Sequence, residues 1–316
     1  MIRLSIEIVS EPAWTRTIRS KTVLPINLHM AKAYVMGRIE FNANHWTRTF
    51  RIDELPVVAR VRQKEQLSRD ITIRLEAPVE LSEKQQEELI DKVRYEIGAD
   101  DTLDALREIQ DKDILTKLAL KNSAGLRLYA NSDTIEAAIS AIIQQNVDFF
   151  KYQQIQKDFV TKYGDPIPWD DSLYLYPELA KIAEMTVSDW KDLGLGLKAE
   201  YLGLMTERDL KNIEIYAYYP VYERGMEGLM MIDGIGRYTA RVIMIYAARR
   251  YEKAILDSYV QEILDHKYKL HQVLPLSEYD RWIANLWPKD PALVLHAHIQ
   301  DYLPAYIRSF DFTELD

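Results

Sequence analysis

The hydrophobic period of this chain changes once, near residue 80, and that change restricts the folds open to it. Ahead of it the period is two. In "IRLSIEI", Ile2, Leu4, Ile6 and Ile8 alternate with Arg3, Ser5 and Glu7, the pattern of a strand with one buried face. Ile71, Ile73 and Leu75 repeat it in "ITIRLEA". Between these, "AYVMGRIEFNA", "WTRTFRI" and "VVARVRQ" are rich in β-branched and aromatic residues, and the links are short enough for hairpins. These segments predict an antiparallel sheet. In "PVELSEKQQEELIDKVRYEIG" the period becomes helical: Leu89, Val93 and Ile97 stand four apart, and Ser82 is placed to cap the helix.

From about residue 100 nearly every segment has a helical pattern. "LDALREIQ" and "ILTKLAL" predict short helices. A longer one is predicted in "SDTIEAAISAIIQQNVDFFKYQQIQKDFVTKYG", with Asp133 and Glu136 as a capping box and Gly164 as its stop. "DPIPWDDSLYLYPE" is expected to be a loop, because its three prolines break any helix. "PELAKIAEM", "VSDWKDLG", "LKAEYLGLMTERDLKN", "MEGLMMI", "RYTARVIMIYAARR", "DSYVQEILDHKYKL", "EYDRWIANLW" and "ALVLHAHIQDYLPAYIRS" complete the helical set. The fold class expected is α+β: an N-terminal antiparallel β-sheet domain over 1–110, then an all-helical body over 111–316.

Composition narrows the function classes. A chain of 316 residues suits two domains. It has no apolar run of about 18 residues, so no membrane span is expected. "MIRLSIEIVS" lacks the continuous apolar stretch of a signal peptide, which points to an intracellular protein. The absence of cysteine excludes disulfides, a thiolate-held iron–sulfur cluster and a Cys-type zinc site. Of the six histidines, His296 and His298 are two apart and do not share a helical face, so no metal site is expected there. The formal charge of -9 argues against loose polyanion binding. It is unevenly spread, however. Residues 237–256 hold Arg237, Arg241, Arg249, Arg250 and Lys253 against Glu252 alone, which leaves room for a local phosphate site.

That basic stretch opens with "LMMIDGIGRYTAR". Gly234 and Gly236 let the backbone turn sharply and approach another surface without a Cβ between. A helix starting at Arg237 leaves its first N–H groups unsatisfied, a natural phosphate site, and Arg237 and Arg241 lie one turn apart to add charge. The same residues also suit an ordinary αα-hairpin. Asp257, in "AILDSYVQEIL", suits the N-cap of the next helix.

The stretch resembles the helix–hairpin–helix DNA glycosylases, whose motif runs hydrophobic-Pro-Gly-hydrophobic-Gly, two variable positions, then Thr/Val-Ala. The resemblance extends over "GLRLYANSDTIEAAISAIIQQNV", "KYGDPIPW", "PELAKIAEMTVSDWKDLGLGLKAEYL" and "PALVLHAHIQDYL", and over the β-rich start. It is closest to the 3-methyladenine glycosylase II and 8-oxoguanine glycosylase branches. It implies two helical subdomains with a cleft between them, a monomer, double-stranded DNA with a damaged base as partner, and base excision repair as the process. By the resemblance Asp257 is the catalytic carboxylate, and Gly234, Ile235, Gly236, Arg237, Tyr238, Thr239 and Arg241 hold DNA phosphate. Asn146, with Gln145 beside it, fills the space of the extruded base. Tyr238, Tyr259, His296 and His298 belong to the base pocket.

One position separates the branches of the family, and at three others this sequence departs from the pattern. Tyr238 stands where members that also cut the backbone carry lysine; a phenol forms no Schiff base, so β-lyase chemistry through this position is excluded and water is the expected nucleophile. Ser258 stands where the alkylbase branch has tyrosine, His298 where it has another aromatic, and Asp233 where proline is common. The family often holds K+ or Na+ among the hairpin carbonyls, here those of Ile232 and Gly234; no other cofactor is implied. The implied activity is release of alkylated purines such as 3-methyladenine. The alternatives are an 8-oxoguanine, uracil or deaminated-base glycosylase of the same fold and, in another class, a non-catalytic helix–hairpin–helix DNA-binding protein.

Overall fold

A computed structural model describes residues 11–26, 28, 40–42, 45–269 and 275–309. The strand expected at Ile2–Ile8 and most of "AYVMGRIEFNA" lie outside the described residues. The N-terminal part is a five-stranded sheet of β1 (Trp14–Ile26), β2 (Glu40–Asn42), β3 (His45–Ile52), β4 (Leu55–Gln63) and β5 (Ser68–Ala77). Its order is β1-β5-β4-β3-β2, with every neighbouring pair antiparallel. β3 and β4 are joined through Asp53 and Glu54 alone, both at positive φ (45° and 65°), a two-residue turn whose twist matches that of the strands it links.

The alternation expected from the sequence sets the two faces of the sheet. Trp46, Phe50, Val57, Ala59, Ile71, Ile73 and Leu75 form one core with α1 (Glu83–Glu96), through Leu89 and Val93 of the helix and Ile97 at its end. Ser82 caps α1 in a full capping box with Gln85. Val58 points the other way and packs on Ile167, Leu173 and Leu175. Those residues belong to β6 (Asp165–Ile167) and β7 (Asp170–Leu175), an antiparallel hairpin, so the body is not all-helical and "DPIPWDDSLYL" is not a loop. Proline prevents a helix here but is tolerated on an edge strand, where its missing N–H is not needed. Thr49 Oγ1 donates to the Tyr174 carbonyl (2.8 Å), which fastens the hairpin to the sheet.

The helices of the body begin with α2 (Asp104–Gln110), α3 (Ile114–Asn122), α4 (Thr134–Gln144) and α5 (Phe149–Tyr163). After the hairpin come α6 (Leu179–Glu184), α7 (Val187–Asp192), α8 (Lys198–Leu204), α9 (Glu207–Ala217) and α10 (Tyr222–Met230). The chain continues with α11 (Arg237–Tyr246), α12 (Ser258–Tyr268), α13 (Leu276–Leu286) and α14 (Pro291–Ser309). One apolar core runs through them, and it includes Leu106 and Ile109 of α2. No described helix is long and apolar enough to cross a membrane.

The long helix expected over 132–164 is two helices. α4 stops at Gln144, Asn146 takes φ 51°, and Asp148 caps α5 by accepting from the Lys151 N–H. Asp133 caps α4 as expected, but Glu136 does not close a capping box. It pairs instead with Arg48 of β3, whose guanidinium donates to both Glu136 oxygens (2.7 Å each), to Asn131 Oδ1 and to Glu96. This buried cluster ties the sheet, α1 and α4 together.

Candidate active site

α10 and α11 form the hairpin expected around Gly234 and Gly236. Gly234 needs to be glycine twice over: its φ is +84°, and a Cβ would lie 2.7 Å from Tyr201 Cβ. Gly236 has ordinary extended backbone, and a Cβ there would meet nothing within 4 Å. It is the exposed N-cap of α11. The Ala240 N–H makes the first helical bond to the Gly236 carbonyl (2.9 Å). The N–H groups of Arg237, Tyr238 and Thr239 therefore have no acceptor within the helix and crowd at its electropositive end. Arg237 is exposed beside them.

The side chains of three of the residues expected to hold phosphate are otherwise engaged. Arg241 is buried, donating to the Ala254 carbonyl (2.9 Å) and, from both Nη atoms, to Asp280 of α13 (2.8 and 2.5 Å). One turn along α11 from Arg237, it faces inward, and it holds the apolar lead-in to Asp257 rather than a phosphate. The Ile235 side chain is buried and its N–H donates to the Ile232 carbonyl (3.0 Å). Thr239 is buried, and its hydroxyl accepts from Gln145 Nε2 (2.6 Å). Gln145 Nε2 also donates to the Gly234 carbonyl (2.9 Å), so this amide is bound to the hairpin and not extended toward a duplex. Asn146 is exposed at its left-handed turn. Both carbonyls expected to hold K+ or Na+, those of Ile232 and Gly234, thus accept hydrogen bonds, and a cation would have to share them.

Asp257 caps α12, accepting from the Val260 N–H (2.8 Å) and from the Tyr259 N–H. Burial pushes its carboxyl above the usual range, and the two backbone bonds offset part of that rise. Its charge reaches Tyr238 and Tyr246 of α11. Both phenols are raised chiefly by burial and further by the carboxylate, so both are neutral O–H groups. Tyr246 is two turns from Tyr238, and Tyr152 of α5 is close enough to add to its rise. Tyr246 has a same-face spacing from Tyr238 in "YTARVIMIY" but no motif that singles it out; Tyr152 comes from another helix and leaves no local signal. Tyr259 is half-buried against the helical core.

The structure does not place His296 or His298 at this surface. His298 is 0% exposed and stacks on Trp287 with ring centroids 5.1 Å apart. Its Nε2 lies 2.9 Å from Thr116 Oγ1 and 3.2 Å from the Tyr268 hydroxyl. Both hydroxyls donate to Asp113, so their oxygens are left to accept, which assigns the proton to Nε2. Burial, with Lys267 nearby, takes its pKa down to about 3. His296 is buried too, taken down to about 4 by burial against a hydrogen bond to the Arg127 backbone. These are neutral core histidines. The period of α14 showed an apolar helix but not which neighbours would enclose it. Among the described residues no three His, Cys, Asp or Glu side chains gather as a metal site.

No protein-family model matches the chain. Over 170 residues, 52% of the chain and 55% of the relative, it is 26% identical to a DNA-3-methyladenine glycosylase of Bacillus subtilis. It spans between 55% and 64% of the length of the curated relatives it matches. It superposes on a 3-methyladenine DNA-glycosylase from Archaeoglobus fulgidus with a TM-score of 0.75 at 21% identity, covering 92% of this chain and 99% of that one. An 8-oxoguanine glycosylase/lyase of Clostridium acetobutylicum, solved with double-stranded DNA containing cytosine opposite 8-oxoG, gives 0.66 at 17% identity, covering 86% and 99%. The chain has the fold of the helix–hairpin–helix DNA glycosylases.

Proposed function

We propose that the chain is a monofunctional DNA glycosylase of base excision repair, acting as a monomer on duplex DNA that carries an alkylated purine such as 3-methyladenine. The observation that carries this reading is Asp257: a half-buried carboxylate, held by its backbone bonds and within electrostatic reach of two neutral tyrosines of α11, the helix whose N-terminal amides have no acceptor within it. Extrusion exposes the glycosidic bond, which is out of reach in the stack. As that bond breaks, positive charge grows on the sugar, and a fixed anion in a poorly solvated site stabilises it more than it does the ground state. Asp257 also accepts the proton of the water that adds to C1′.

The substrate class follows from charge. A purine nucleotide alkylated at N3 or N7 is cationic and electron-poor, so it is favoured next to a carboxylate and against tyrosine rings; an oxidised guanine, which is neutral, gains less. The name of the Bacillus subtilis relative agrees with this class. Tyr238 supplies no amine for a Schiff base, so the reaction stops at the abasic site.

The test is base release from a methylated duplex. Asp257→Asn is expected to slow it by about 100-fold or more, the scale of losing one preorganised charge-stabilising group. Wild-type product is expected to break at the abasic site only after alkali. Release undiminished in Asp257→Asn would return the chain to the binding-only class, and spontaneous strand breaks would overturn the monofunctional assignment.

A further inference from the structure

The end of α4 is held by a lysine that the base-excision reading leaves unused. Lys198, at the start of α8, donates from Nζ to the carbonyls of Ile143 and Gln145, both at 2.7 Å. The Gln145 carbonyl belongs to the peptide group that enters Asn146, so Lys198 grips the bond just ahead of the left-handed residue at φ 51°. The last carbonyls of a helix lack partners and carry partial negative charge, which a cation there neutralises. The same Gln145 reaches the other way, its amide donating to the Gly234 carbonyl and to Thr239 Oγ1. One turn past Lys198, Tyr201 lies against the Gly234 backbone. The tip that carries Asn146 and the phosphate hairpin are therefore one braced unit, with Lys198 and Gln145 as the braces. Burial, with Lys151 adding to it, lowers the Lys198 ammonium from its usual value, as expected of a group withdrawn from solvent.

We infer that Lys198 is a positioning residue for base extrusion. It fixes the peptide before Asn146 so that this side chain enters the duplex at a set distance from the gripped phosphate. The inference rests on one part of the proposed reading, that a base is extruded and Asn146 fills the vacated space, and not on the cleavage step that follows. It differs from the usual meaning of a lysine near DNA, because the charge is directed at the protein's own carbonyls and not at a phosphate.

The experiment measures extrusion and release separately. Extrusion is read from the fluorescence rise of 2-aminopurine stacked beside a 7-methylguanine, in a fully paired duplex and in an unpaired bubble. Lys198→Met is expected to slow extrusion roughly tenfold in the paired duplex, the scale of a misplaced positioning group, and to stay within about twofold of wild type in the bubble. Lys198→Arg, which still reaches both carbonyls with a cation, is expected to restore most of the paired-duplex rate. The salt slope of binding is expected to stay unchanged. Extrusion at the wild-type rate in Lys198→Met, equal losses on both duplexes, or a slope shallower by about 0.9, the mark of one lost phosphate contact, would each overturn the inference. Intact wild-type extrusion without release of the methylated base would sink the glycosylase reading and leave this one standing.

Discussion

At Asp257, burial and capping act on protonation in opposite directions, and burial is the larger. The consequence for activity has a definite sign. In the proposed reaction the carboxylate works ionised, so base release is expected to fall as pH drops through its raised pKa, and the acid limb of the pH–rate profile reports it. The sign for stability is the reverse. A carboxyl whose pKa is higher folded than unfolded binds its proton more tightly in the fold, so stability declines as pH rises across that window. Asn at this position keeps an N-cap acceptor without the buried charge. Asp257→Asn should therefore melt at or above the wild-type temperature at neutral pH, and a clearly lower melting temperature would contradict this account. The N-cap role of Asp257 was legible in "DSYVQEIL". His298 was not, because helical spacing shows a residue's side of its helix and not what closes over it.

The hairpin separates two glycines that the sequence presents alike. Gly234→Ala forces a methyl into Tyr201 at a positive φ and is expected to cost about 1–3 kcal/mol of stability. Gly236→Ala adds the same methyl in open space at ordinary backbone angles. It is expected to change stability by less than about 1 kcal/mol while weakening duplex binding, since on the proposed reading the methyl stands where a phosphate would approach the bare amides. Thermal melts and duplex titrations of the two variants distinguish these roles; equal melting temperatures would remove the distinction. The element types and most boundaries of this region were readable from apolar spacing. The partner of each polar residue was not. Arg241 sits one turn from Arg237 in a pattern that reads as two phosphate ligands, and only the arrival of Asp280 from α13 shows that it faces inward.

Across the whole molecule the sheet and the helical body meet at Arg48. Its guanidinium, 3% exposed, serves carboxylates from α1 and α4 at once. Removing it leaves Glu96 and Glu136 buried without their counter-charge, and Arg48→Met is expected to cost about 3–5 kcal/mol in urea unfolding. Replacing all three with apolar residues of similar volume is expected to cost less than the single change, because it leaves no bare charge. A single variant of wild-type stability would show that the cluster is not a junction. Glu136 had a convincing local explanation as half of a capping box. A contact across 88 positions of chain overrode it, and such contacts leave no trace in a local window.

A phosphate grip at the bare amides after Gly236, as proposed, has a consequence for how such a protein would search DNA. With Arg241 engaged by Asp280, the proposed phosphate grip at the start of α11 rests on peptide dipoles and Arg237, on a chain of formal charge -9. Dipoles displace few of the cations condensed on a duplex, and little is gained by resting on undamaged sequence. The chain would leave an ordinary site quickly, and its stay at any position would depend on whether the base there yields.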